Sequence, residues 1–183
     1  MAKIVLTTYR RRRRRSARTL LVAAFGCAGL GLAGLSLLHR PRPFIIYNAS
    51  ASAQIGYYWV EAPYPVGRGD LVLARTPDSV RELAAQRDYL PVTVPLVKRV
   101  EGVAGDVVCA RDHVVTINGR RVAYQFSTDR LGRPLPRWSG CLRLRYDEIF
   151  LLMEGVPDSF DGRYFGPVPV RSVIGKLVPL WLR

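Results

Sequence analysis

The sequence predicts a mostly β domain with one short helix, preceded by a single N-terminal transmembrane helix. Three observations carry this. Residues 19–38, "TLLVAAFGCAGLGLAGLSLL", contain no charged side chain. Beyond them, short apolar runs alternate with Gly, Pro, Asn and Asp turn signals. Only one stretch of the outer region, "TPDSVRELAAQR", reads as a helix.

The apolar run spans about 30 Å at 1.5 Å per residue, the thickness of a bilayer's hydrocarbon core. It is preceded by "MAKIVLTTYRRRRRRSAR", with eight Lys/Arg and no acid. Lys/Arg-rich flanks stay cytoplasmic, so residues 1–18 form a basic cytoplasmic tail, 19–38 the anchor, and 39–183 an extracytoplasmic domain. A cleaved signal peptide fits less well, because the run is long and ends in "SLLHRPRP" without a small-x-small exit. The arginine block reads as an orientation signal that also touches membrane lipid, not as a nucleic-acid site. The body is only moderately basic, with twenty Lys/Arg against fourteen acids in residues 19–183, or +6 of the total +14.

In chain order, "HRPRP" is a stiff exit from the membrane. "DLVLAR" (70–75) is a strand after the turn "VGRG". In the helix at 76–87, Thr76 is placed to cap, Pro77 suits the first turn and Asp78 favours the dipole. "LVKRVEGVAGDVVCA" (96–110) is a strand, a turn at Gly102–Gly105, and a strand. "HVVTINGRRVAY" (113–124) is a hairpin about Asn118-Gly119. "STDRLGRPLPRWSG" (127–140) is a loop and "EIFLLMEGV" (148–156) a strand. "PDSFDGRYFGPVP" (157–169) is an ordered loop, and "VRSVIGKLVPLWLR" the last strand.

Three cysteines are present. Cys27 lies in the span. Cys109 and Cys141 lie in the outer domain, which the topology places in an oxidising compartment, so a disulfide between them is expected, with two free buried thiols as the alternative. The cysteine and histidine spacing fits no zinc site, so no metal is expected.

Elimination narrows the chemistry. His39 and His113 are the only histidines, and neither is placed for a Ser-His-Asp arrangement. There is no H-E-x-x-H motif and no phosphate-binding glycine loop. A serine needs a base, and lysine is the next candidate. At its ordinary pKa only roughly one lysine in 2,500 is neutral at pH 7, so a lysine base must be buried. Outside the tail only Lys98 and Lys176 exist. Lys98 shares a strand face with Leu96 and Val100. A solvated strand position or an ordinary salt bridge fits that pattern as well.

Three stretches resemble, in order and spacing, the boxes of the type I signal peptidases, and within them the conjugative-transfer (TraF-type) branch. "NASASAQIGYYW" resembles the nucleophile box through Asn48, Ser50, Ser52, Gly56 and Tyr58. "VKRVEGVAGDVV" resembles the lysine box, and "PDSFDGRYFGPVP" the last box. The resemblance covers roughly residues 44–178. It implies a signal-peptidase-like β-fold catalytic domain. It implies Ser52 as nucleophile, Lys98 as general base, and Ser50 with the Ser52 N–H as the oxyanion site. It further implies Ser159 as the group orienting the lysine, and Asp161 and Arg163 as a structural ion pair. Gln54 stands where the branch usually has proline, and Gly162 where serine is frequent.

The implied function is cleavage of exported precursor proteins with small residues before the cut, most of all a pilin precursor in conjugative transfer, with hydrolysis or cyclisation of the product. A general secretory signal peptidase and a non-enzymatic, membrane-anchored pore subunit are the alternatives. A self-cleaving repressor would need a DNA-binding module that residues 1–38 do not offer. The expected enzyme works without a cofactor, as a monomer in the cytoplasmic membrane with a periplasmic catalytic domain.

Overall fold

The computed structural model describes residues 20–34 and 44–183. The chain divides into two units, Met1–Pro41 and Arg42–Arg183. In the first, residues 20–34 are helical (α1) and expose Leu20, Leu21, Val22, Phe25, Leu30 and Leu32. Among the described residues no helix is long and apolar enough to cross a membrane. The basic tail, both ends of the predicted span and the "HRPRP" exit up to residue 43 lie outside them.

The second unit is mostly β. One antiparallel sheet has the order β1-β2-β11-β3-β4-β9-β10, and a second β7-β6-β5-β8. In the first, β1 is Ile45–Asn48, β2 Gly56–Glu61, β3 Leu71–Ala74, β4 Leu96–Gly102 and β9 Glu148–Leu152. The short β10 is Val168–Pro169, and β11 is Val173–Leu182. In the second, β5 is Val107–Arg111, β6 Val114–Ile117, β7 Arg120–Tyr124 and β8 Gly140–Arg143. Helix α2 is Asp78–Gln86 and α3 is Gly162–Phe165.

Strand β9 joins the two halves. Its Ile149, Phe150, Leu151 and Leu152 are all buried, which explains an unbroken apolar run where a half-exposed strand would alternate. Phe150 and Leu152 face a cluster with Val108, Val115 and Leu144 of the smaller sheet's side. Ile149 and Leu151 face Val72, Val100 and Val173. Burying side chains of this size is worth about 2 kcal/mol each, so β9 is a stiff platform for the loop that follows it.

The hairpin forms as the sequence predicts. Asn118 and Gly119 adopt φ of +50° and +80°, the left-handed pair that suits a two-residue turn. Gly105 turns at φ +90°, whereas Gly102 ends β4 in ordinary backbone and is needed for space. A Cβ there would lie 2.9 Å from both Leu144 and Phe150. Cys109 and Cys141 are directly opposed on β5 and β8 and form the disulfide.

Other expectations are corrected. Thr76 does not cap α2: Pro77 takes the N-cap position, with no side-chain cap bond. The Thr76 hydroxyl is buried without a partner. The sequence "PDSFDGRYFGPVP" is not loop throughout. It holds one helical turn, α3, because the Asp161 carboxylate accepts from the backbone N–H of Arg163 and caps it. Strands β1, β2 and β8 had no separate sequence signal.

Candidate active site

The loop between β1 and β2 carries Ser50 and Ser52. Asn48, at the end of β1 and 5% exposed, organises it. Its amide donates to the carbonyls of Ser50 (3.0 Å), Ala53 (3.3 Å) and Gln54 (3.0 Å). Its side-chain oxygen accepts from the Ser50 N–H. The Tyr58 hydroxyl donates to the same Gln54 carbonyl at 2.7 Å. Gln54 is thus held through its backbone, and the loop is fixed without a proline. At Gly56 the backbone passes so close to β11 that a Cβ would lie 2.2 Å from the Trp181 carbonyl.

Lys98 sits on β4, where the alternation of buried and exposed residues puts it on the inner face with Leu96 and Val100. It is 4% exposed. Its Nζ donates to Ser52 Oγ at 3.0 Å and to Ser159 Oγ at 2.9 Å. Burial lowers the Lys98 pKa to about 8, the Arg163 charge adds to the lowering, and the Asp161 carboxylate opposes it. An amine buried between two hydroxyls is able to act as a base near neutral pH.

Ser159 is buried in the loop after β9, and Asp161 and Arg163 lie directly below it in sequence and fully inside. Arg163 forks onto Asp161 at 2.8 and 3.1 Å, and also donates to the carbonyls of Met153 and Pro157. Asp161 in turn accepts from the Met153 N–H. The buried charges are therefore paired and saturated, which is the condition for holding them at all. Gly162 packs so tightly that a Cβ would lie 2.6 Å from the Leu151 carbonyl and 3.0 Å from the Phe150 ring. A serine has no room on this backbone.

Ser50 Oγ lies 2.9 Å from Ser52 Oγ and accepts from the Ser52 N–H at 3.3 Å. The two expected oxyanion donors are side by side and hydrogen-bonded to each other. Ser52 opens on a cleft of about 620 Å³. Tyr58, Leu71, Met153, Val156 and Leu177 line it, with Asp70 and Arg99 as charged groups. All the sequence-predicted residues meet here except the cysteines, which belong to the smaller sheet. His113 is elsewhere, beside Arg137. Lys176 is half-buried on β11 and paired in register with Glu61. Asn48 and Tyr58 were read from sequence only as matching letters. Their structural role is the hold on Gln54. Among the described residues no group of side chains could hold a metal ion.

Residues 17–181 match the family model "Signal peptidase, peptidase S26", and the chain belongs to that family of peptidases. Two relatives narrow the neighbourhood. A plasmid transfer protein TraF of Escherichia coli is 33% identical over 172 residues, covering 88% of this chain and 94% of the relative. A conjugal transfer protein TraF of Agrobacterium fabrum is 29% identical, covering 88% of this chain and 95% of its own. A signal peptidase I of Enterococcus faecalis aligns in structure over 62% of this chain and 97% of that one, at 22% identity and a TM-score of 0.38.

Proposed function

We propose that the chain is a membrane-anchored serine endopeptidase that cleaves exported precursor proteins with a Ser52/Lys98 dyad. The observation that carries this is the buried Lys98 amine, bonded at once to Ser52 Oγ and Ser159 Oγ. Neutral Lys98 takes the proton of Ser52 as its Oγ attacks the scissile carbonyl. The oxyanion is held by the Ser52 N–H and the Ser50 hydroxyl, which exchange their mutual bonds for the substrate oxygen. Collapse releases the amine, which takes the proton back from Lys98, and leaves an acyl-enzyme on Ser52. Water then hydrolyses it, or an amine of the product attacks it and closes a ring. No cofactor enters these steps.

Conjugative transfer is the setting favoured by the names of the relatives, a plasmid transfer and a conjugal transfer protein, and a pilin precursor is the substrate that the resemblance of the three boxes implies there. A membrane location with the catalytic unit outside is supported by the arginine block before residues 19–38. It is supported further by the outer face of β1, β2 and β11. Ile45, Tyr47, Tyr57, Trp59, Val178 and Trp181 are all exposed there, an apolar and aromatic face suited to a membrane–water boundary.

The test is cleavage of a pilin precursor by the full chain in membranes. Ser52→Ala and Lys98→Ala each abolish cleavage while the protein stays folded and membrane-bound. Cleavage at the normal rate by either variant overturns the dyad.

A further inference from the structure

Residues 125–139, between β7 and β8, are bound to their neighbours along nearly their whole length. Asp129 is the knot. Its carboxylate accepts from Arg133 Nε at 2.7 Å, from the backbone N–H groups of Leu131 and Arg133 at 2.9 Å, and from the Tyr89 hydroxyl. Arg87 donates to the Pro134 carbonyl at 2.6 Å, and Arg133 returns a bond to the Arg87 carbonyl. The strap is thereby fastened to the end of α2, where Tyr89 follows.

The same strap is fastened to the loop that carries Ser159. Trp138 Nε1 donates to the Gly162 carbonyl at 3.0 Å, and Gln125 Nε2 to the Arg163 carbonyl at 2.7 Å. Arg130 pairs with Asp158, immediately before Ser159. Phe160, immediately after Ser159, packs its ring 5.2 Å from Tyr89, stacks on Tyr164 at 5.7 Å and meets Phe165 edge-on. Ser159 is thus flanked by a surface ion pair on one side and an aromatic seat on the other. The aromatic seat is the stronger restraint, since an exposed ion pair contributes little.

We propose that Tyr89 and Asp129 are positioning residues for the reaction: through the Phe160 ring they hold Ser159, and so the Lys98 amine, in line with Ser52. This rests on the Ser52/Lys98 reading. Asp129 fixes the Tyr89 hydroxyl, Tyr89 presents its ring to Phe160, and Phe160 leaves the adjacent Ser159 hydroxyl one orientation toward Lys98. Released, Ser159 would let the amine swing away from Ser52, which costs proton transfer and leaves the substrate cleft intact. Neither Tyr89 nor Asp129 lines that cleft.

The test is steady-state cleavage of a precursor peptide by the full chain, carried as a double-mutant cycle with Ser159→Ala. Tyr89→Leu lowers kcat about tenfold with KM unchanged, since the loss is of alignment and not of binding. Tyr89→Phe keeps the ring but loses the hydroxyl's bond to Asp129, so it costs only about threefold, between wild type and Tyr89→Leu. In the Ser159→Ala background Tyr89→Leu costs less than about threefold, because the group it positions is already gone. Wild-type kcat in Tyr89→Leu, or a cost above threefold in the Ser159→Ala background, overturns the proposal. If Tyr89→Leu loses its cooperative melting transition, Asp129→Asn serves in the same cycle: it costs about threefold with Ser159 present and nothing measurable in the Ser159→Ala background, and an equal cost in both backgrounds overturns the proposal. Ser52→Ala run alongside separates the two readings. Residual cleavage there defeats the dyad, whereas a dead Ser52→Ala with an unaffected Tyr89→Leu defeats only the strap.

Discussion

Lys98 Nζ lies 3.0 Å from Ser52 Oγ across 46 residues of sequence. The contact exists because β4 points Lys98 inward and because the Asn48-tied loop turns Ser52 to meet it. The adjacent 2.9 Å bond to Ser159 fixes the amine's direction, and its burial penalises the charged form.

The pH dependence of cleavage follows from that burial. Lys98 is held at about 8, below the ordinary 10.5. The proposed base Lys98 is active when neutral, so kcat/KM is expected to rise about tenfold per pH unit up to pH 8 and to level above it. Rates measured from pH 6 to 9.5 check this. A flat profile is incompatible with a titrating lysine base.

The same shift costs stability. Lys98 binds its proton more weakly folded than unfolded. The penalty is therefore complete below pH 8 and is relieved as pH rises from 8 to 10.5. The interval from 10.5 to about 8 corresponds to ~3 kcal/mol at 1.36 kcal/mol per pH unit. Lys98→Met is expected to be inactive yet more stable than wild type at pH 7, with the gain shrinking towards pH 10. Denaturant unfolding at both pH values measures it. A variant less stable than wild type at pH 7 contradicts the expectation.

Gly162→Ser restores the residue frequent in the conjugative branch, but here its Cβ meets the Leu151 carbonyl at 2.6 Å. Overpacking of this kind costs about 1–3 kcal/mol. The melting temperature falls and cleavage falls with it, because Asp161 and Arg163 flank the glycine. An unchanged melting temperature would show that the backbone yields without cost.

Asn48→Ala removes three amide bonds and one acceptor bond from the Ser52 loop. The Gln54 carbonyl keeps the Tyr58 hydroxyl and the Ser50 carbonyl keeps the Ala53 N–H, so the buried Ala53 carbonyl is the group left unpaired, at a cost of about 1–3 kcal/mol. Because the loop carries the proposed nucleophile Ser52, kcat falls more than KM rises. Kinetics beside a melting curve resolve the two effects, and a variant with normal kcat would sink the assigned role of Asn48.

The parts legible in the sequence were those set by local chemistry. Asn118-Gly119 dictates a tight turn wherever it falls between β-prone arms. Lys98 could be placed on the face of Leu96 and Val100 because strand alternation has a period of two. The identity of the site came from three boxes in order. What was not legible depends on distant partners. "NASASAQIGYYW" gave no strand signal because its polar residues mask the end of β1 and the start of β2, which pair with each other, β2 pairing in turn with β11. Thr76 looked like a helix cap, yet its hydroxyl was buried and Pro77 took the position. The strap of residues 125–139 looked like a plain Gly- and Pro-containing loop. Its order comes from Asp129, Trp138 and Gln125 meeting groups dozens of residues away.

The central claim, that Ser52 is the atom that attacks, is tested most directly by acid-quenching the full-length enzyme within a single turnover of a precursor peptide and mapping the covalent adduct by mass spectrometry. The acyl group is expected on the peptide containing Ser52, at that residue, and absent from Ser52→Ala. An adduct on another residue, or cleavage by Ser52→Ala, would contradict the account.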